Sequence, residues 1–223
     1  MPEGGGRRPV RVGVALGATV AILAAWNLLG RPAVPTHLGI EANLSIAALL
    51  LLVGRLGGLT WEAMGLSPSH LGAGARYGGA TLVVVSAVLL IGAALPATSH
   101  LYIDGRVNVT AAQMAFKVLV AIPIGTVVLE ELAFRGVLLG LLTVELSTWW
   151  AVSVSAVLFG LWHVQPLLSS HGTAAIVGTV VATSLAGVGF AWLRLRSQSL
   201  LAPVLAHIAT NSIAFLVAWW IAN

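Results

Sequence analysis

The sequence predicts an all-α fold, a polytopic transmembrane helix bundle of about seven spans. Three observations carry this prediction. Mean hydropathy is +0.98, hydrophobic residues make up 58% of the 223-residue chain against 8% charged, and the apolar residues form long runs with no period-2 alternation. The missing alternation argues against barrel strands, and in lipid a helix is the remaining way to satisfy every backbone N–H and C=O. The whole chain, 1–223, reads as one integral-membrane domain.

The runs fall at 12–30, 38–54, 77–97, 111–142, 148–165, 173–193 and 199–221, and a helical span needs about 20 apolar residues. Arg7, Arg8 and Arg11 precede the first run like the start of a signal peptide, but no clear small-residue cleavage site follows and six more spans do, so a retained signal anchor is expected. The connection 56–76 holds Trp61-Glu62-Ala63-Met64-Gly65-Leu66 and then Ser67-Pro68-Ser69-His70. It reads as a short interfacial helix followed by a turn, because Trp favours the headgroup boundary. Residues 98–110, with Asp104, Gly105, Arg106 and Asn108, read as a polar external loop. The fourth run is long enough to admit an eighth crossing if it is broken. In the sixth, Thr179, Thr183 and Gly187 are spaced four apart, a stripe of small residues that lets helices approach closely. Pro123 and Pro203 read as loosening their helices.

With the N-terminus cytoplasmic, seven crossings place Arg7, Arg8, Arg11, Arg55, Arg76, Arg194 and Arg196 inside, and Arg31, Arg106 and Lys117 outside or near an outer span end. That is the bias of the positive-inside rule. The Ala, Val, Gly and Arg usage with a single Lys points to a high-GC prokaryote, hence a plasma (inner) membrane. The pI near 10.7 reflects a net charge of only +4, with arginines at span ends rather than on one face, so no nucleic-acid partner is expected. Cysteine is absent, which excludes a thiol nucleophile and a Cys zinc site.

The polar groups inside the apolar runs are the candidates for chemistry. Glu130, Glu131 and Arg135 lie within six residues in the fourth run, where each charge costs roughly 2.5 to 3.5 kcal/mol at membrane depth. The i,i+4 spacing of Glu131 and Arg135, acid first, favours an ion pair on one helix face, and turns Glu130 about 100° away. Phe159 and His163 are four apart in the fifth run, as are His207 and Asn211 in the seventh. At 1.5 Å per residue from the cytoplasmic span ends at 142, 148 and 199, Glu130, His163, His207 and Asn211 lie at depths of about 18, 22, 12 and 18 Å. Three helices thus bring two acids, two imidazoles and an amide toward one layer of the bundle.

Taken together, Glu130-Glu131-x-x-x-Arg135, Phe159-x-x-x-His163 and His207-x-x-x-Asn211 resemble the motifs of the CPBP family, also called the ABI or type II CAAX prenyl endopeptidase-like family of intramembrane proteases. The resemblance covers residues 111–215 in order, spacing and apolar setting, and Trp61 to Pro68 resembles the family's interfacial stretch. No HExxH, GxGD or Gly-x-Ser-x-Gly run is present, which argues against the zinc site-2, presenilin and rhomboid kinds of membrane protease.

Hydrolysis without Cys or an activated Ser requires water as nucleophile, a base, and donors for the oxyanion. The resemblance and the donor chemistry imply Glu130 as the base on a water also held by His163, with His207 and Asn211 on the oxyanion, and Glu131, Arg135 and Phe159 in support. Zn²⁺ or another divalent metal held by Glu130, His163 and His207 is the other form this site admits. The metal-free form is preferred because Asn211 suits an oxyanion donor better than a zinc ligand. The implied partners are membrane lipid and a membrane-bound peptide or lipidated protein substrate. A non-catalytic membrane scaffold or immunity protein and a proton-coupled carrier are the alternatives.

Overall fold

The computed structural model describes residues 7–102, 107–168 and 172–223. Asp104, Gly105 and Arg106 of the expected external loop lie outside them, as do the side chains of Arg7 and Arg8. Among the described residues seven helices are long and apolar enough to cross a membrane: α1 (Val10–Ala33), α2 (Thr36–Leu56), α3 (Pro68–Ala94), α4 (Ala111–Glu145), α5 (Thr148–Leu167), α6 (Thr173–Ser197) and α7 (Leu201–Ala222). No strand occurs among the described residues. The chain is an all-α integral membrane protein.

α4 is the axis of the bundle. From Val127 to Leu142 it is almost wholly buried, with Val127, Val137, Leu138 and Leu141 inaccessible to solvent. A helix apolar on every side has no face to give to water, so it takes the centre. α1 and α2 lie along it, α6 packs along α5, and α7 packs against α3 and α6.

α4 crosses once and is not broken, so an eighth crossing does not arise among the described residues. Pro123 lies in a π-helical stretch, Lys117–Val127, where the amide of Val128 reaches back five residues to the carbonyl of Pro123. The amide of Asn43 on α2 donates to the carbonyl of Gly125 at 2.6 Å. Widened winding and a neighbour's donor satisfy the backbone that proline disturbs. Further π-helical stretches, Leu132–Leu138 and Ala209–Ile213, hold Arg135 and Asn211. Pro203 loosens nothing, because it sits in the first turn of α7, where its missing N–H has no intrahelical partner to lose.

The expected interfacial helix at 61–66 is instead a series of turns. Gly58 and Gly65 have φ of 95° and 77°, left-handed values that end any helix there. The guanidinium of Arg194 fills the space a Cβ on Gly65 would need. It donates to the carbonyls of Ala63 (2.8 Å) and Glu62 (3.3 Å), and the amide of Leu200 donates to the carbonyl of Gly65 at 2.8 Å. Trp61 stays half exposed while Met64 is fully buried beside Gly54 and Gly136 of α2 and α4. The segment therefore braces the α4 core.

α3 begins about nine residues earlier than hydropathy places it, because Leu71-Gly72-Ala73-Gly74 and Arg76-Tyr77-Gly78 dilute the apolar signal without breaking the helix. Gly74 and Gly78 face α7 and the turn before it. A Cβ at Gly78 would stand 2.9 Å from the backbone of Ala202. Gly78→Val is expected to lower the unfolding midpoint of detergent-solubilised protein, at a cost of about 1 to 3 kcal/mol. A midpoint equal to wild type would show that α3 and α7 tolerate separation.

Candidate active site

Glu131 has no exposed surface and Arg135 is 1% exposed. The pair expected from their spacing is present, with Arg135 Nη1 donating to Glu131 Oε1 at 2.9 Å. The guanidinium also lies 3.9 Å from the centroid of Phe159 and 5.0 Å from that of Phe190, so a charge in an apolar core meets one carboxylate and two ring faces. Glu131 Oε1 accepts a second bond, from Nδ1 of His207 on α7 at 2.7 Å. Glu131 is thus the junction of α4 and α7.

His207 is buried and its ring stacks on Phe190, centroids 5.0 Å apart and 25° between planes, with Phe159 edge-on at 5.8 Å. A carboxylate at Nδ1 assigns that nitrogen the proton, leaving Nε2 as an acceptor in the neutral ring. Asn211 Nδ2 donates to it at 3.1 Å, which fits the shared face expected from the i,i+4 spacing. His207 Nε2 also stands 3.7 Å from Glu130 Oε2.

Glu130 is buried and its two oxygens differ. Oε1 accepts from the indole N–H of Trp162 at 3.0 Å. Oε2 is buried without a protein hydrogen-bond partner, so it is the oxygen free to take a proton.

His163 caps the α-helical part of α5, Thr148–Trp162, ahead of the 3-10 turn Gln165–Leu167 that completes the span. Its Nδ1 lies 2.9 Å from the carbonyl of Phe159, which assigns the proton to Nδ1 and leaves Nε2 as the free lone pair. Phe159 touches both imidazoles edge-on, with His163 at 4.9 Å. Arg135, His163 and His207, from α4, α5 and α7, therefore meet at Phe159, and His207 Nε2 lies 3.7 Å from Glu130 Oε2.

Three contributors carry no motif. Trp162 binds Glu130; Asn27 on α1 donates to the carbonyl of Trp162 at 3.0 Å; Phe190 on α6 stacks on His207. A lone amide in the apolar run Ala25-Trp26-Asn27-Leu28 is a signal that sequence reading can use. For Phe190 there was none. An apolar groove between α1 and α5, about 190 Å³, ends on Trp162 and Asn27, but Glu130 does not line it.

Among the described residues no group of three His, Cys, Asp or Glu side chains is arranged to hold a metal ion. His207 has Nδ1 on Glu131 and Nε2 on Asn211, and His163 has Nδ1 on Phe159. As arranged, Glu130, His163 and His207 do not fit a zinc triad, which needs three ligand atoms within about 2.0 to 2.2 Å of one point.

The family model described as Rce1-like, type II CAAX prenyl endopeptidase Rce1-like, matches residues 111–213. That stretch runs from the start of α4 into α7 and contains every motif residue named above. No curated protein and no solved structure matches the chain.

Proposed function

The Rce1-like match over residues 111–213 supports the CPBP family of intramembrane proteases, and on that premise we propose that this chain is a glutamate-type intramembrane endopeptidase. The observation that carries the reading is Glu130, a buried carboxylate with one oxygen tied to Trp162 and the other unpartnered beside His207.

Glu130 Oε2 takes a proton from a water positioned with the help of Nε2 of His163, and the hydroxide formed attacks the scissile carbonyl carbon. The oxyanion receives donors from His207 and Asn211. His207 donates through Nε2 as the imidazolium, which takes its second proton from solvent before the attack and keeps it through the cycle, while its Nδ1–H stays on the Glu131 carboxylate. Protonation of Nε2 also releases the Asn211 amide N–H, which otherwise bonds to that nitrogen, toward the same oxygen. Glu130 then returns its proton to the amine nitrogen as the C–N bond breaks. Arg135, Phe159 and Phe190 hold Glu131 and His207 in register.

The substrate class is a membrane-associated peptide or protein, cut at the bilayer of a prokaryotic inner membrane, with the N-terminus of this chain cytoplasmic. Comparing membrane proteomes of cells making the wild type and the Glu130→Gln protein tests this reading. One membrane peptide shortened only by the wild type is the expected result, and identical peptide inventories would count against a protease. Because the donor set is not arranged as a metal triad, cleavage of that peptide is expected to survive chelation. Loss on chelation that Zn²⁺ restores would overturn the metal-free mechanism.

A further inference from the structure

We infer that Trp162 is a positioning residue that decides which oxygen of Glu130 faces the reaction, and that Asn27, on the first span and outside the matched segment, holds Trp162 in place. The inference rests on the reading of Glu130 as the base.

An indole has one donor and no acceptor. At 3.0 Å from Glu130 Oε1 it occupies that oxygen and leaves Oε2 alone toward His207. The terminal torsion of a glutamate is broad and nearly two-fold, so without this donor either oxygen can turn to the reaction side. Trp162 is itself fixed in two ways. Its ring meets Phe134 edge-on at 5.7 Å. Its carbonyl belongs to the last residue of the α-helical part of α5, where helix-end carbonyls need partners from outside the helix, and Asn27 Nδ2 supplies one at 3.0 Å.

Asn27 is 6% exposed, and its Oδ1 has no partner in the protein. A buried amide in an otherwise apolar stretch of α1 is costly unless its bond matters. The bond it makes reaches across 135 residues to the one helix end that carries both Trp162 and His163. α1 therefore belongs to the active centre rather than to its wrapping.

Benzothienylalanine at position 162 is the test that spares the fold, because it keeps the shape of the ring and puts sulfur where the N–H was. Trp162→Phe and Asn27→Leu complete the set. Two quantities are read: kcat and KM on the peptide that wild type cuts, and the infrared carboxyl band of Glu130, identified as the band that Glu130→Gln removes. The isostere is expected to lower kcat by roughly 10- to 100-fold with KM unchanged, the loss of one hydrogen bond to a charged group, and to shift the band. Asn27→Leu is expected to shift the band in the same direction with a smaller fall in kcat. Unchanged kcat and an unmoved band in the isostere protein overturn the inference. A band that shifts in a protein for which wild type cuts no membrane peptide overturns the protease reading and leaves the positioning of Glu130 in place.

Discussion

Glu130→Gln is expected to fold, to insert and to lose cleavage by about 10²- to 10⁴-fold in kcat, the range a general base contributes. The size of the loss follows from how little else changes. Gln has the shape of Glu, and its carbonyl oxygen still accepts the Trp162 N–H that Oε1 accepts at 3.0 Å. What disappears is the basic oxygen at the Oε2 position, which has no protein hydrogen-bond partner and stands 3.7 Å from His207 Nε2. Neutralising a buried charge does not weaken the fold, so the unfolding midpoint stays at or above that of wild type. Cleavage at the wild-type rate would remove Glu130 from the mechanism.

Glu131→Leu has the opposite signature, a loss of stability first. Glu131 Oε1 is the acceptor for both Arg135 and His207, and it lies wholly inside the bundle. Its removal leaves a guanidinium 1% exposed without the carboxylate that accepts its Nη1–H, against the faces of Phe159 and Phe190. Breaking one side of a buried ion pair costs about 3 to 5 kcal/mol, a large share of a marginal stability. Removing both charges avoids the stranded cation. The double variant Glu131→Leu, Arg135→Met is therefore expected to recover most of the midpoint while remaining inactive, because His207 still lacks the carboxylate that orients Nδ1. Thermal unfolding in detergent and cleavage of the identified peptide separate the two effects. An active double variant would show that Glu131 serves packing alone.

How much of this was legible in sequence varied with the distance each interaction spans. Seven crossings came from hydropathy, and their ends came within a few residues except at α3, where glycines and Arg76 hid the first turns of the helix. The ion pair of Glu131 and Arg135 and the contact of His207 with Asn211 both follow from spacings of four on one helix. The eighth crossing stayed open because the fourth run is long enough to admit it if broken, and Pro123 lies within that run. Whether it breaks the helix depends on a donor from elsewhere, here Asn43. The 61–66 segment differs from its expected helix for a related reason: its turns are set by Gly58, Gly65 and the clamp of Arg194 from α6.

The sequence by itself determined what each helix carries and on which of its faces, because hydropathy and the 3.6-residue period act within a single helix. Only the tertiary structure decided that Glu131 binds His207 across 76 residues, that Trp162 takes one oxygen of Glu130 across 32, and that Asn27 of the first span reaches Trp162. These bonds depend on how each helix is rotated and how deep it sits against its neighbours. Rotation and depth are set by packing among helices, and no periodicity within one of them encodes it.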